Sequence, residues 1–296
     1  MAVVAASTLL VGCSPSATPA PAADGKPVVL TTFTVIADMA RVVGGDVVEV
    51  RSITKVGAEI HGYEPTPSDL KSAAEANLIL DNGLGLERWF DAFVERLDVP
   101  HAVLTEGIDP IDIRTGAYEG LPNPHAWMSP IAGQVYVDNI AAAFTELVPE
   151  QSELFQANAA EYKKELQTLA DTLGEVVEAL PEKQRVLVTC EGAFSYLARD
   201  IGLTDRYLWP VNSDSQGTPQ QISAAIELVR SRNVPVVFCE TTVNSSSQEQ
   251  VAREAGAEFG GLLYVDSLSD ASGPVPSYLD LLEYDVRLIS EGLVGR

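Results

Sequence analysis

Apolar positions along the chain follow two alternating rhythms. Short runs of strand length, beginning with Val28-Val29-Leu30, are followed by stretches whose apolar residues recur at steps of three and four. That alternation predicts repeated βα units and mainly parallel sheets. Val35 to Val43 reads as a helix stopped at Gly44-Gly45, Val47 to Ile53 as a second strand and Asn77 to Asp81 as a third. Between the last two, Thr66-Pro67-Ser68-Asp69 offers an N-cap, a proline at the first helical position and an acid in the first turn. Leu86 to Arg96 reads as another helix, Ala102 to Leu104 as a short strand, and Pro130 onward as a helix that fades near Val148-Pro149.

The segment from Ser152 to Leu180 differs, because Tyr162, Leu166, Leu169, Leu173, Val176 and Leu180 mark a single long stripe. At about 1.5 Å per residue one helix there runs on the order of 40 Å, enough to cross the whole molecule as a stiff connector. Beyond it the βα rhythm resumes. Strands are expected at Arg185 to Cys190, Tyr207 to Val211, Val234 to Glu240 and Leu262 to Val265, with helices around Phe194 to Ile201 and from Ser277. Thr218-Pro219-Gln220-Gln221 and Ser245-Ser246-Ser247-Gln248 both read as capping boxes. The expected architecture is α/β: a βα lobe over 27–150, a connecting helix over 151–181 and a second βα lobe over 182–296.

Composition adds a direction. The 296 residues include 46% hydrophobic ones, enough for two ordinary cores. Lys and Arg number 19 against 42 Asp and Glu, and the formal charge of −23 argues against a nucleic-acid partner and for attraction of small cations. Ala2 to Val11 is too short an apolar stretch to span a bilayer but fits a signal peptide over 1–12. It ends in Leu10-Val11-Gly12-Cys13, which looks like a bacterial lipobox with Cys13 as the lipidated residue. Residues 13–26, rich in Ser, Pro and Ala, then read as an extended tether. No Lys or Arg precedes Cys13, where a signal normally opens with one, so an upstream start is expected.

Only three histidines occur, and two of them, His61 and His125, sit in loops punctuated by Gly and Pro. An imidazole on such a loop can aim one ring nitrogen at a shared point. In open α/β sheets ligands bind beyond the carboxyl ends of strands, and two acids occupy such points: Glu191 after Val186 to Cys190, and Asp266 after Leu262 to Val265. Each alone reads more readily as an acid that caps a helix or faces water, since exposed acids are the default. His101, after Val99-Pro100, reads as a surface residue, Trp127 as loop packing, and Tyr207 to Pro210 as either core or a loop closing over the site. No phosphate loop, His-Glu-x-x-His helix or Gly-x-Ser-x-Gly elbow is present.

Five motifs in order carry a resemblance. Thr32-Phe33-Thr34, Gly57 to Pro67, Asn123 to Pro130, Glu191 to Leu197 and Gln216-Gly217-Thr218-Pro219 resemble the transition-metal solute-binding lipoproteins of ABC importers, over nearly all of the chain after Cys13. The resemblance implies two βα lobes bridged by a rigid helix, with one metal between them. Motif by motif it implies His61 and His125 as ligands from the first lobe, Glu191 and Asp266 from the second. Members that look dedicated to zinc usually place a third His where this chain has Glu191, and often carry a His-rich acidic loop before the second His. Here Ile113 to Asn123 is short and has no His. Two imidazoles and two carboxylates form a hard donor set that suits Mn²⁺, with Fe²⁺ next and Zn²⁺ third.

Cys190 and Cys239 each end an apolar strand and precede an acid, Glu191 or Glu240. Outside the cytoplasm they form either a disulfide or a pair of buried thiols. A bridge would stiffen the second-lobe half of the site. The implied function is capture of a divalent metal outside the membrane, in a periplasm or at a cell surface, by a lipid-anchored monomer that delivers it to an ABC permease. Closure of one lobe on the other as the ligands converge is the expected mechanism. A metallohydrolase is the rival from another class, with Glu240 the only base to nominate, although four protein ligands would close the shell. Surface adhesion is a third reading that no residue argues for.

Overall fold

The computed structural model of the protein describes residues 25–90, 97–212 and 217–295. The expected signal peptide, Cys13 and most of the tether lie outside the described residues, as do Gln216 and the second half of the helix expected at 86–96. Residues 88–90 are helical.

The first lobe is one parallel sheet. Strands β1 (Val28–Thr31), β2 (Glu49–Ser52), β3 (Leu78–Asp81) and β4 (His101–Val103) lie in the order β2-β1-β3-β4. All four residues of β1 and of β3 are buried, as central parallel strands require. Helix α1 (Thr34–Gly44) follows β1 and α2 (Pro67–Glu75) precedes β3. The predicted cap of α2 is present in full, with Thr66 accepting from the Asp69 amide and the Asp69 carboxylate accepting from the Thr66 amide. Helix α3 (Pro130–Leu147) closes the lobe.

The connecting helix α4 spans Ser152–Ala179, 28 residues. Its buried stripe is Phe155, Ala159, Tyr162, Leu166, Ala170, Leu173 and Val177. The stripe expected from sequence shares Tyr162, Leu166 and Leu173 with it. Leu169 and Val176 prove to flank the buried face, and small alanines at 159 and 170 let neighbouring helices approach where the apolar pattern carried little signal. Helix α4 packs on α1 and α3 of the first lobe and on α8 (Tyr278–Leu293) of the second. One apolar core therefore runs unbroken from Val29 and Ile36 through Tyr162 and Leu166 to Leu281 and Ile289.

The second lobe contains β5 (Val186–Glu191), α5 (Ser195–Ile201), β6 (Thr204–Trp209), α6 (Pro219–Arg232), β7 (Val236–Glu240), α7 (Ser246–Ala255) and β8 (Glu258–Leu263). Two strands differ from expectation. Strand β6 begins at Thr204, not Tyr207, because left-handed Gly202 ends α5 and the Thr204 amide at once bonds the Arg185 carbonyl. Strand β8 begins at Glu258 and ends before Tyr264. Its glycines are tolerated because the Phe238 ring lies where a Cβ at Gly260 would sit, 2.3 Å away, beside a bulge in the pairing with β7.

The four strands are hydrogen-bonded as two parallel pairs, β5-β6 and β7-β8. Strands β5 and β7 lie side by side without a ladder, and the Cys190–Cys239 disulfide joins them with the two Cα atoms 4.8 Å apart. Buried Gln248 spans the same seam, its amide nitrogen donating to the carbonyls of Val188 and Phe238. This corrects the expectation of a capping box at Ser245: Ser245 makes no cap bond, and Gln248 turns inward to satisfy strand carbonyls that have no ladder partner. The box at Thr218 and Gln221 does form.

Because the disulfide closes a loop of 49 residues, the chain-entropy model assigns it about 4 kcal/mol of stability. A Cys190→Ala/Cys239→Ala variant should unfold at lower urea with a loss approaching that figure. An unchanged midpoint would show that the bridge contributes nothing.

Candidate metal centre

Three loops and the end of one strand deliver one polar side chain each to the seam between the lobes. His61 follows β2, where buried Ile60 anchors the loop and the His61 amide donates to Glu59 Oε1 at 2.9 Å. His125 heads a short helical turn (Ala126–Met128). Glu191 is the last residue of β5, and Asp266 lies three residues past β8. His125, Glu191 and Asp266 are buried and the His61 side chain is 7% exposed. One nitrogen or oxygen of each lies within 4.8 Å of the others.

The ring nitrogens are aimed by their neighbours. Asn123 Oδ1 accepts from the His125 amide at 3.0 Å and from His125 Nδ1 at 2.8 Å, which leaves His125 Nε2 with a free lone pair. That Nε2 stands 3.0 Å from His61 Nε2. Glu191 Oε1 is 3.3 Å from His61 Nε2 and 3.4 Å from His125 Nε2, and Asp266 Oδ1 is 4.0 Å from His61 Nε2. Glu191 Oε2 and Asp266 Oδ1 are buried without a hydrogen-bond partner. Two imidazole nitrogens and two buried carboxylates converging on one point form a donor set that a divalent cation can use, with Glu191 Oε1 also accepting the Asn212 amide proton at 2.6 Å.

Charge balance shows the same incompleteness. Burial opposes protonation of His61, but Glu191, Asp266 and Glu59 outweigh it and lift its pKa to about 9. Burial holds His125 below its ordinary value. Burial would raise Glu191, yet the two adjacent imidazoles bring it below the usual carboxylate range. Asp266 is raised well above that range by burial and by Glu191 and Glu59, and Glu240 is raised by burial and by Glu191. Without a cation the pocket thus favours a proton on His61, while burial and neighbouring acids oppose ionisation of Asp266 and Glu240.

Several residues with no role assigned from sequence, Asn212, Thr242 and Tyr196 among them, join others that the sequence singles out in holding this arrangement. Asn123, besides orienting His125, donates its amide nitrogen to the Gly192 carbonyl at 2.6 Å, tying one lobe to the other. Tyr196 donates to the Asn123 carbonyl at 2.7 Å. Thr242 and Asn212 donate to Asp266 Oδ2 at 3.2 and 3.5 Å. Trp127 packs at the seam, its indole donating to the Val265 carbonyl at 3.0 Å. Glu240 lies behind Glu191 and accepts from the Glu191 amide at 3.1 Å. Trp209 donates to Asn212 at 3.0 Å, and Tyr207 lies against Gly192. His101 is exposed in β4.

A fold of this kind is shared with metal-binding components of ABC uptake systems. Residues 29–292 match the family described as zinc-uptake complex component A, periplasmic (ZnuA), and the chain belongs to that family. Its members are extracytoplasmic solute-binding proteins, not enzymes. The chain is 50% identical over 265 residues to the iron-binding protein YfeA of Yersinia pestis, covering 89% of this chain and 85% of that one. It is 30% identical over 273 residues to the manganese ABC transporter substrate-binding lipoprotein PsaA of Streptococcus mitis, covering 90% and 88%. The Mn-bound periplasmic metal-binding protein of Candidatus Liberibacter asiaticus superposes with a TM-score of 0.84 at 36% identity, covering 90% of this chain and all of that one.

The raised pKa values fix a pH dependence. In the metal-free protein His61 keeps its proton up to about pH 9, against about 6.5 when unfolded, and Asp266 and Glu240 also hold protons longer than in the unfolded chain. The folded state then binds more protons, so its stability falls as pH rises, by on the order of 3 kcal/mol from His61 alone between about pH 6.5 and 9. His125, held below its ordinary 6.5, and Glu191 work in the opposite sense, but only below about pH 6.5 and below the ordinary carboxylate range respectively. Thermal melts of metal-free protein should show a higher Tm at about pH 6.5 than at about pH 9. A Tm that rises over that interval contradicts this charge distribution.

Proposed function

We propose that the protein captures Mn²⁺ outside the membrane through His61, His125, Glu191 and Asp266 and delivers it to an ABC permease. The observation that carries the reading is the convergence of two imidazole nitrogens with two buried carboxylates, one of which, Asp266, has an oxygen without a hydrogen-bond partner 4.0 Å from His61 Nε2. Two nitrogens and up to four oxygens allow five or six coordination, and the −2 charge of the carboxylates balances a divalent ion. Glu191 in the place of a third histidine favours Mn²⁺ over dedicated zinc capture. Zn²⁺ would still bind such donors tightly in the test tube, so selectivity depends on supply as well as on ligands. Fe²⁺ is the second reading, favoured by the 50% identity to a protein named for iron binding.

The motif ending at Cys13 supports a lipid anchor, as does the lipoprotein name of PsaA. The protein would then work as a tethered monomer at a periplasmic or external membrane face. Cargo binding needs few steps. The ion replaces the proton shared between the rings, Asn123 holds His125 Nε2 toward it, and the seam excludes water.

Saturating Mn²⁺ at about 100 times its Kd should raise the Tm by on the order of 5 to 10 °C. Glu191→Ala should lose retention of Mn²⁺ while still binding Zn²⁺, as read by metal content after desalting. If none of Mn²⁺, Fe²⁺ or Zn²⁺ stabilises the wild type, the proposal fails. A larger shift and retention with Fe²⁺ than with Mn²⁺ would instead favour the second reading.

A further inference from the structure

Asn212, just past β6, touches two of the four candidate ligands and the loop that presents a third. Its backbone amide donates to Glu191 Oε1 at 2.6 Å. Its side-chain nitrogen donates to Glu59 Oε2 at 3.0 Å and reaches Asp266 Oδ2 at 3.5 Å. Its side-chain oxygen accepts the Trp209 indole proton, which fixes which end of the amide faces the acids. Glu59 in turn holds the His61 amide. One side chain thereby links both second-lobe carboxylates to the loop that presents His61, and it is only 7% exposed.

An amide suits this place for a physical reason. Glu59 and Asp266 bring two carboxylates from opposite lobes toward the same point, where like charges repel. The Asn212 NH₂ has two protons to offer, one for each acid, and never deprotonates. Opening the seam at the His61 loop breaks the bond to Glu59, so the bond opposes opening.

We infer that Asn212 is a positioning residue whose bond to Glu59 latches the His61 loop onto the second lobe and slows the escape of bound metal. This rests on the metal-capture reading and concerns the rate of release, not the identity of the ligands.

Exchanging donor and acceptor tests it. The release rate of Mn²⁺ would be followed by stopped-flow competition with a chelator for wild type, Asn212→Asp, Glu59→Gln and the double variant. Asn212→Asp sets carboxylate against carboxylate, and Glu59→Gln leaves a single acceptor oxygen for both the His61 amide and the Asn212 NH₂, so each should release Mn²⁺ about tenfold faster. The double variant restores one N–H···O bond with its direction reversed at unchanged total charge. Its release should return to within about threefold of wild type. A negative charge added beside the cation would by itself slow release, so the faster release of Asn212→Asp separates a latch from simple electrostatics. Should Asn212→Asp fail to fold, the half-buried loop variant Glu59→Gln must still accelerate release. Single variants that release at the wild-type rate, slower release from Asn212→Asp, or a double variant no slower than its faster parent would each overturn the inference. A wild type that does not retain Mn²⁺ would overturn the metal-capture reading instead.

Discussion

Two imidazoles and two carboxylates are held out of water at one point, and the charges that act most strongly on them are each other's. Such a group is unstable in isolation, because desolvated acids cannot all ionise side by side. A proton on His61 relieves part of the problem and a divalent cation relieves more. Everything around the seam serves to hold this incomplete arrangement in place: Asn123 on the His125 side, Thr242 and Asn212 on the acidic side, and Glu240 behind Glu191. The affinity that such a site offers a cation is the counterpart of the discomfort it keeps when empty of one.

The second lobe carries that burden in an unusual way. Its strands form two pairs without a ladder between β5 and β7, the strands that end in Glu191 and Glu240. A disulfide one residue before each acid and the inward amide of Gln248 replace the missing bonds. Cross-links by side chains at fixed points, in place of a continuous ladder, set the spacing of the two acids directly.

Much of the fold and the candidate ligand set were legible in the sequence, for reasons that differ by residue. The βα rhythm and the caps at Thr66 and Thr218 are local signals, and they locate most elements to within a few residues. Glu191 stands out as a strand-end acid and the two loop histidines by their scarcity, but it is the resemblance of five motifs that joins them with Asp266 into one candidate set. The neutral amides were not legible in their roles. Asn123, Asn212 and Gln248 bond to atoms 10 to 153 positions away, and only the tertiary structure gives those bonds meaning. Gln248 was even misread, since its spacing from Ser245 imitates a cap. The start of β6 was missed because Thr204-Asp205-Arg206 is polar, while its pairing to β5 is dictated by the backbone.

The unbroken core along α4 has a mechanical consequence. Prising the lobes apart would expose Tyr162, Leu166, Leu281 and Ile289, at about 25 cal/mol for each square ångström of apolar surface. The polar seam is held instead by single hydrogen bonds, such as Asn123 to the Gly192 carbonyl and Asn212 to Glu59. The molecule is thus built like a clothes-peg whose spring is oil: parting the jaws need break only a few polar contacts, whereas parting the two lobes must also expose the core behind them.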